Sequence, residues 1–229
     1  MELTVPLEKD KESQPVVPAE SLTSWKDALA GSAALQVPDE GFRFLYESAL
    51  HTLVLLSPEL VYPGPYTYKR FWFRDSAFIL NAMTALGLLG PSERVLDSFE
   101  RRQRSDGFFL SQDGEWDANG AALWTYWQFT RRSGFSPKEA WRNPVVKGAE
   151  WILENRCTGN PQSPHAGLLP AGFSAEHLGN NDYYYWDDYL AAAGLRAAAE
   201  LCKHWKDEAR SATFRQESDA FMAAIERSL

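Results

Sequence analysis

The chain has 229 residues, a length that suits one domain with its own hydrophobic core. Its formal net charge of −8 and pI near 5.1 argue against a surface that binds nucleic acid or an anionic membrane. Two cysteines and four scattered histidines form no CxxC pair and no HExxH motif, so no metal site and no cofactor are expected. The two cysteines could form one disulfide, but free thiols are the favoured prediction for a cytosolic protein.

The amino-terminal residues lack the basic and apolar stretches of a secretory signal. No segment reaches the roughly 18 consecutive apolar residues that a membrane-spanning helix needs. We therefore expect a cytoplasmic protein without a membrane partner.

Residues 1–38 are expected to form a linker or tail, because they combine a charged run with Pro15 and Pro18 and leave room only for a short helix near residues 22–30. Residues 39–229 are expected to form an all-α domain without a convincing strand. The spacing of apolar residues predicts seven helices. The first four lie at about 40–56, 75–89, 92–103 and 118–132. The fifth ends at about 154, the sixth includes 190–199, and the seventh lies at about 207–228.

The second, fourth and sixth predicted helices are apolar on nearly every side, whereas the other four each have a polar face. This alternation predicts two concentric layers, with an inner ring of helices inside an outer ring. A solenoid of helical hairpins is the alternative, since it also alternates two layers. Solenoid repeats share length and consensus, and the loops before the even-numbered helices differ widely, so the toroid is favoured.

Three clusters combine tryptophan with aspartate near the starts of the even-numbered helices: 71–75 (FWFRD), 115–117 (EWD) and 183–188 (YYYWDD). If consecutive helices run antiparallel, every second helix starts at the same end of the domain, and the clusters converge on one face. Each aspartate taken alone has a simpler explanation, because aspartate is a favoured N-cap. A cap does not require aromatic neighbours, and rings with polar edges suit a ligand with apolar faces and hydroxyl rims, as sugars have.

Asp187 in the third cluster is the candidate catalytic acid. Cleavage of a glycosidic bond generally needs one carboxylic acid to protonate the leaving oxygen and a second carboxylate as base or nucleophile. A helix start would lower the pKa of Asp187, whereas burial among aromatic residues and like charge from Asp182 and Asp188 would raise it. In the first cluster, Arg74 and Asp75 form either a donor–acceptor pair for neighbouring sugar hydroxyls or a structural ion pair at the helix start.

These residues also carry a resemblance to a known family. Segment 66–75 (YTYKRFWFRD) resembles the opening of the second helix in six-hairpin, (α/α)6-toroid glycosidases, particularly glucoamylase-like and glycogen-debranching-like enzymes. Segment 115–117 sits like the cluster that opens their fourth helix. Segment 186–188 (WDD) falls where glucoamylases have Trp-Glu-Glu, with aspartate in place of the acidic glutamate.

The resemblance covers residues 40–229 and implies a partial (α/α)6 toroid, with about seven of twelve helices in antiparallel hairpins. It implies that Asp187 is the general acid. It also implies a substrate-binding set made of Trp72, Arg74, Asp75, Trp116, Asp117, Tyr185, Trp186 and Asp188.

By this resemblance we expect a glycoside hydrolase of the glucoamylase or α-glucosidase type, inverting and exo-acting on glucan oligosaccharides. Twelve helices need roughly 360 residues, so the chain is expected to be a fragment that holds the amino-terminal, substrate-binding half of a catalytic domain. That half would lack the catalytic base, for which Glu176 is the only nearby substitute. Exposed apolar flanks on the sixth and seventh helices would favour self-association.

Two other functions remain open. A non-catalytic carbohydrate-binding or scaffold protein with the same pocket is the main alternative. A sugar epimerase on the same toroid is less favoured, because it would need histidines at the starts of the inner helices. His51 and His204 lie within or at the end of predicted helices, and His165 and His177 lie in a loop.

Overall fold

The structure is a computed structural model of the chain, and it describes residues 23–174, 176 and 179–229. The chain divides into two compact units, residues 1–30 and residues 31–229. In the first unit the described residues form one short helix, α1 (Trp25–Ala28), whose first turn is capped by the side chain of Ser24. This helix confirms the one predicted near residues 22–30; the predicted linker before residue 23 lies outside the described residues.

The second unit is built from helices. They are α2 (Glu40–Leu55), α3 (Phe73–Ala85), α4 (Leu89–Asp97), α5 (Asp117–Ser133), α6 (Arg142–Glu154), α7 (Tyr185–His204) and α8 (Glu208–Ser228), with short 3-10 helices at Phe99–Arg102 and Glu139–Trp141. Extended pairing in the described residues is limited to two isolated bridges, Gln103 with Phe109 and Gly172 with Asp182. The predicted all-α class is confirmed. Among the described helices, none combines the length and the apolar surface that crossing a bilayer requires.

The core is formed where α5 contacts both α3 and α7, the three helices that correspond to the apolar predicted ones. Helices α5 and α7 approach closely because two glycines face each other. A Cβ added to Gly194 would lie 2.6 Å from the Cα of Gly120. Helix α7 in turn packs along α8, and its buried alanines leave room for this close contact.

The boundary between α3 and α4 lies at Gly87 rather than at Gly90-Pro91, where the sequence suggested it. Gly87 has a φ of 85°, in the left-handed region that favours glycine, and α3 ends just before it. Pro91 then lies in the first turn of α4, where a backbone N–H has no helical acceptor to lose.

Exposed apolar side chains are distributed differently from the prediction. Phe214, Phe221 and Ile225 of α8 are buried, so most of the apolar flank expected on that helix is not exposed, whereas α7 leaves Trp186 and Tyr189 45% and 46% exposed. Helix α2, by contrast, leaves Phe42 and Leu45 66% and 63% exposed, because the described residues do not cover the apolar face that the sequence predicted there. Both cysteines are free, as predicted.

Candidate functional site

Each of the three clusters lies at the start of a helix, α3, α5 or α7. Aromatic residues without a side-chain capping bond occupy the three N-cap positions: Trp72, Trp116 and Tyr184. The cluster aspartates lie inside the first turns instead: Asp75, Asp117 and Asp187. Aspartates that do cap helices are found elsewhere, since Asp39 and Asp207 accept bonds from backbone N–H groups of α2 and α8. The N-cap explanation therefore does not apply to the three cluster aspartates.

A pocket of about 460 Å³ opens where α3 and α7 begin. Its walls come from the first turns of α3, from the loop before α7 and from the start of α7. The lining residues are Arg74, Asp75, Phe78, Phe173, Ser174, Glu176, Tyr184, Trp186 and Asp187. Four of the nine residues predicted for the site, Arg74, Asp75, Trp186 and Asp187, thus meet around one cavity.

Asp117 joins the three clusters from behind the pocket. Its Oδ2 accepts hydrogen bonds from Arg74 Nη1 at 2.7 Å and from Trp186 Nε1 at 2.8 Å. The Asp117 side chain is 2% exposed, so these charge-assisted bonds lie in a setting where water competes little. A residue from α5 therefore fixes one lining side chain from α3 and one from α7.

Arg74 is held between two carboxylates that come from different elements. Besides Asp117, it donates from Nη2 to Glu176 Oε1 at 2.7 Å, and its Cζ lies 5.7 Å from the ring centroid of Trp186. Arg74 thus pairs with Asp117 and Glu176 rather than with the adjacent Asp75. The structural ion pair between Arg74 and Asp75, one of the two alternatives from the sequence, is not formed.

The loop before α7 is anchored where it reaches the pocket. Gly172 and Asp182 exchange two backbone hydrogen bonds, and Phe173 N–H donates to the carbonyl of Gly114 at 2.8 Å. Gly172 permits this approach, because a Cβ added there would lie 2.4 Å from the Gly114 carbonyl oxygen. These backbone contacts hold Phe173 and Ser174 at the opening.

Asp187 has the environment of a protonated acid. It is 6% exposed. Burial raises the pKa of its carboxyl to about 8, and the negative charges of Asp117 and Asp188 add to the effect, while Arg74 opposes it. Burial and like charge therefore outweigh the helix start, and the carboxyl keeps its proton at neutral pH.

The other predicted residues lie outside the pocket lining. Asp188 is 2% exposed and accepts from Leu169 N–H at 2.9 Å, and burial raises its pKa to about 6. The Tyr185 hydroxyl donates to the carbonyl oxygen of Ser228 at 3.0 Å. The Asp188 carboxylate is therefore bound to the backbone at Leu169 and is not among the residues that line the pocket.

Both remaining tryptophans are engaged elsewhere. The Trp116 ring packs against Phe108 and Trp151, with ring centroids 5.5 Å and 5.7 Å away. The guanidinium of Arg70 covers the Trp72 ring at 4.4 Å. These contacts make Trp116 and Trp72 parts of the supporting framework.

The structure also adds residues that the prediction omitted. Phe78 follows Arg74 by one helical turn, so its place on the same face was open to inference from helical spacing. Tyr184 belonged to the third cluster but was not assigned to the site. Phe173 and Ser174 lie in a loop, where no periodicity indicates which side chains face the cavity.

Comparison of the chain with protein-family models, curated proteins and solved structures finds no match in any of the three. Within the described residues, no group of three or more His, Cys, Asp or Glu side chains is placed to hold a metal ion. The functional conclusion therefore depends on the pocket and on the chemistry of its side chains.

Proposed function

We propose that the chain is the substrate-binding, acid-bearing part of a glycoside hydrolase, of the glucoamylase or α-glucosidase type, that acts on glucan oligosaccharides. In this proposal α3, α5 and α7 are inner helices of a partial (α/α)6 toroid. The observation that carries the proposal is Asp187, a carboxyl with a pKa near 8 in the wall of an aromatic pocket. Three helix starts that meet at this pocket support the toroid arrangement.

The pocket suits a sugar ring in shape and chemistry. Rings of Phe78, Tyr184 and Trp186 offer apolar surfaces to the faces of a pyranose. Arg74 and Asp75 provide a donor and an acceptor, side by side, for hydroxyl groups at its rim. The ligand would thus be bound by a few placed polar groups between aromatic walls, as is usual for small-molecule sites.

Asp187 would act by donating its proton to the glycosidic oxygen as the C–O bond breaks, so that the leaving group departs as an alcohol. A second carboxylate would activate the water that attacks the anomeric carbon in an inverting reaction. Glu176 is not assigned to this role, because its two oxygens accept from Arg74 and from Ser174 Oγ at 2.7 Å and 3.0 Å. Hydrolysis by these 229 residues alone is therefore not expected.

A carbohydrate-binding protein without hydrolysis is the second candidate, and the engagement of Glu176 favours it. The epimerase has less support, since no histidine is among the described residues that line the pocket. The ring of His165 stacks on Tyr183 at 3.6 Å, and His177 lies outside the described residues.

Binding of maltotriose to the purified chain, followed by calorimetry, tests the pocket. Arg74→Ala should weaken binding at least tenfold, because a hydrogen bond to a charged group contributes about 1.5–3 kcal/mol. Arg131→Ala, which removes an exposed arginine at the far end of α5, is the matched control. Equal affinity of the wild type and Arg74→Ala would remove the pocket as the sugar site.

Carboxyl ¹³C NMR separates the two candidate functions. A titration midpoint near pH 8 for Asp187 supports the hydrolase, because the proton is then available at neutral pH. A midpoint near pH 4 would leave the pocket without an acid and favour the binding protein. Release of glucose from maltotriose by the purified chain would contradict the expectation that it lacks a catalytic base.

A further inference from the structure

The charges around the pocket do not balance. Among the described lining residues, Arg74 is the single cation, and Asp75, Glu176 and Asp187 are carboxyl groups, with Asp117 directly behind. Asp187 holds its proton at neutral pH, as shown above. One guanidinium therefore faces the carboxyl groups of Asp75, Glu176 and Asp117, so acidic groups outnumber basic ones among the described residues around the pocket.

The positive charge of Arg74 is already used inside the protein. Its two terminal nitrogens each lie 2.7 Å from a carboxylate oxygen, one on Asp117 and one on Glu176. Asp75 is the carboxylate left over. In the described residues it has no ion-pair partner, although Arg74 is its neighbour in the sequence.

The position of Asp75 makes its charge relevant to a ligand. It lines the pocket and is half-buried, so filling the cavity would remove water from its carboxylate. A neutral ligand would replace that water with hydroxyl groups alone, and an anionic ligand would add a repulsion. A ligand with a positive charge would compensate the carboxylate directly.

The aromatic walls of the pocket also favour a positively charged ligand. Ring faces attract cations, and the Trp186 ring already lies 5.7 Å from the guanidinium carbon of Arg74. Phe78 is 50% exposed and Trp186 is 45% exposed, and their ring centroids lie 6.1 Å apart. Two available ring surfaces thus line the same pocket as Asp75, whose carboxylate forms no ion pair with the described residues.

We propose that the pocket binds sugar units that carry a protonated amino group, such as a terminal glucosamine, in preference to neutral or acidic sugars. Asp75 receives the ammonium group through a charge-assisted hydrogen bond, and Glu176 lines the same pocket. This inference rests on the proposed sugar site and goes beyond the neutral glucan proposed as substrate, because it assigns the highest affinity to glycosides with a terminal amino sugar. It makes Asp75 a specificity-determining residue.

The test is a set of equilibrium titrations of the 229-residue chain with four sugars at pH 6 and low salt, where an amine is protonated. Glucosamine should bind at least tenfold more tightly than glucose. N-acetylglucosamine, in which the same nitrogen is uncharged, should show no such advantage, and glucuronate should bind most weakly. The advantage of glucosamine should shrink in 0.5 M NaCl, where charges are screened within about 4 Å.

Two variants locate the effect. Asp75→Asn should bring the ratio of glucosamine to glucose affinity close to one, and Glu176→Gln should lower it in part. Asp113→Asn, at a carboxylate that is 81% exposed, should keep the wild-type ratio. Urea titrations of each variant confirm that it is folded.

The outcomes distinguish the two proposals. Equal affinity for glucosamine and glucose would overturn the charge preference and leave the sugar site standing. A preference for glucosamine that Asp75→Asn retains would also overturn it, because the charge would then be recognised elsewhere. Absence of binding by all four sugars would overturn both proposals.

Discussion

Replacing Asp187 by asparagine should stabilise the protein, and the gain should depend on pH. The Asp187 carboxyl is 6% exposed, and its pKa is about 8 in the folded protein against an ordinary value of 3.8. Between these two pH values the folded state holds a proton that the unfolded state has released. The free energy of unfolding therefore falls as the pH rises from about 4 to about 8.

The size of the effect follows from the shift. Each unit of pKa difference corresponds to about 1.4 kcal/mol, so at pH 7 the wild type has lost about 4 kcal/mol relative to acidic solution. Asparagine has the shape of the protonated carboxyl and does not ionise. Asp187→Asn should therefore match the wild type near pH 4 and be about 4 kcal/mol more stable at pH 7.

Urea unfolding, followed by circular dichroism at pH 4, 5, 6, 7 and 8, measures this difference directly. The gap between Asp187→Asn and the wild type should widen steadily over this range and level off above pH 8. Asp113→Asn, at an exposed position, should show no such trend. A gap that stays constant with pH would show that Asp187 ionises like a surface acid, and the reasoning that makes it a general acid would fail.

Three other changes test the surroundings of the site. Gly194→Ala should lower the free energy of unfolding by about 1–3 kcal/mol, because the new Cβ would lie 2.6 Å from the Cα of the facing glycine in α5. Gly90→Ala, where an added Cβ meets nothing within 4 Å, is its control. Asn119→Ala should cost about 3 kcal/mol in the same urea titrations, because its buried amide bonds with three backbone groups. Asp117→Asn should lower the pKa of Asp187, measured by carboxyl NMR, because it removes a nearby negative charge. The close packing of α5 and α7 would be contradicted if Gly90→Ala lowered the free energy of unfolding as much as Gly194→Ala. The role of the Asn119 amide would be contradicted if Asn119→Ala left that free energy unchanged. The influence of Asp117 on Asp187 would be contradicted if Asp117→Asn left the pKa of Asp187 unchanged.

Several helices could be placed from local pattern alone. Helix α5 was expected at 118–132 and spans Asp117–Ser133, ending where Gly134 adopts a left-handed φ of 73°. Helix α8 was expected at 207–228 and spans Glu208–Ser228, with Asp207 as its N-cap. Both are long, periodic segments with clear end signals, so the local preferences agree with the tertiary environment.

The meeting of the three clusters was also open to prediction, because alternate helices that run antiparallel begin at the same end of a domain. The roles within each cluster were not. Asp117 was expected in the substrate-binding set, and its carboxylate accepts hydrogen bonds from Arg74 and Trp186 outside the described pocket lining. Its orientation depends on how α5 is rotated against α7, and the contact of Gly120 with Gly194 restricts that rotation.

Local sequence patterns are enough to locate the helical segments and the helix ends that carry aromatic and acidic residues, because periodicity and end signals are local properties. Which of those side chains face the cavity depends on how the helices pack against one another. The tertiary structure also brought Phe173 and Glu176 to the opening, through a loop whose course is set by backbone bonds to distant residues such as Gly114. The raised pKa of Asp187 is likewise a property of the folded chain, because burial and neighbouring charge exist only once the chain has folded.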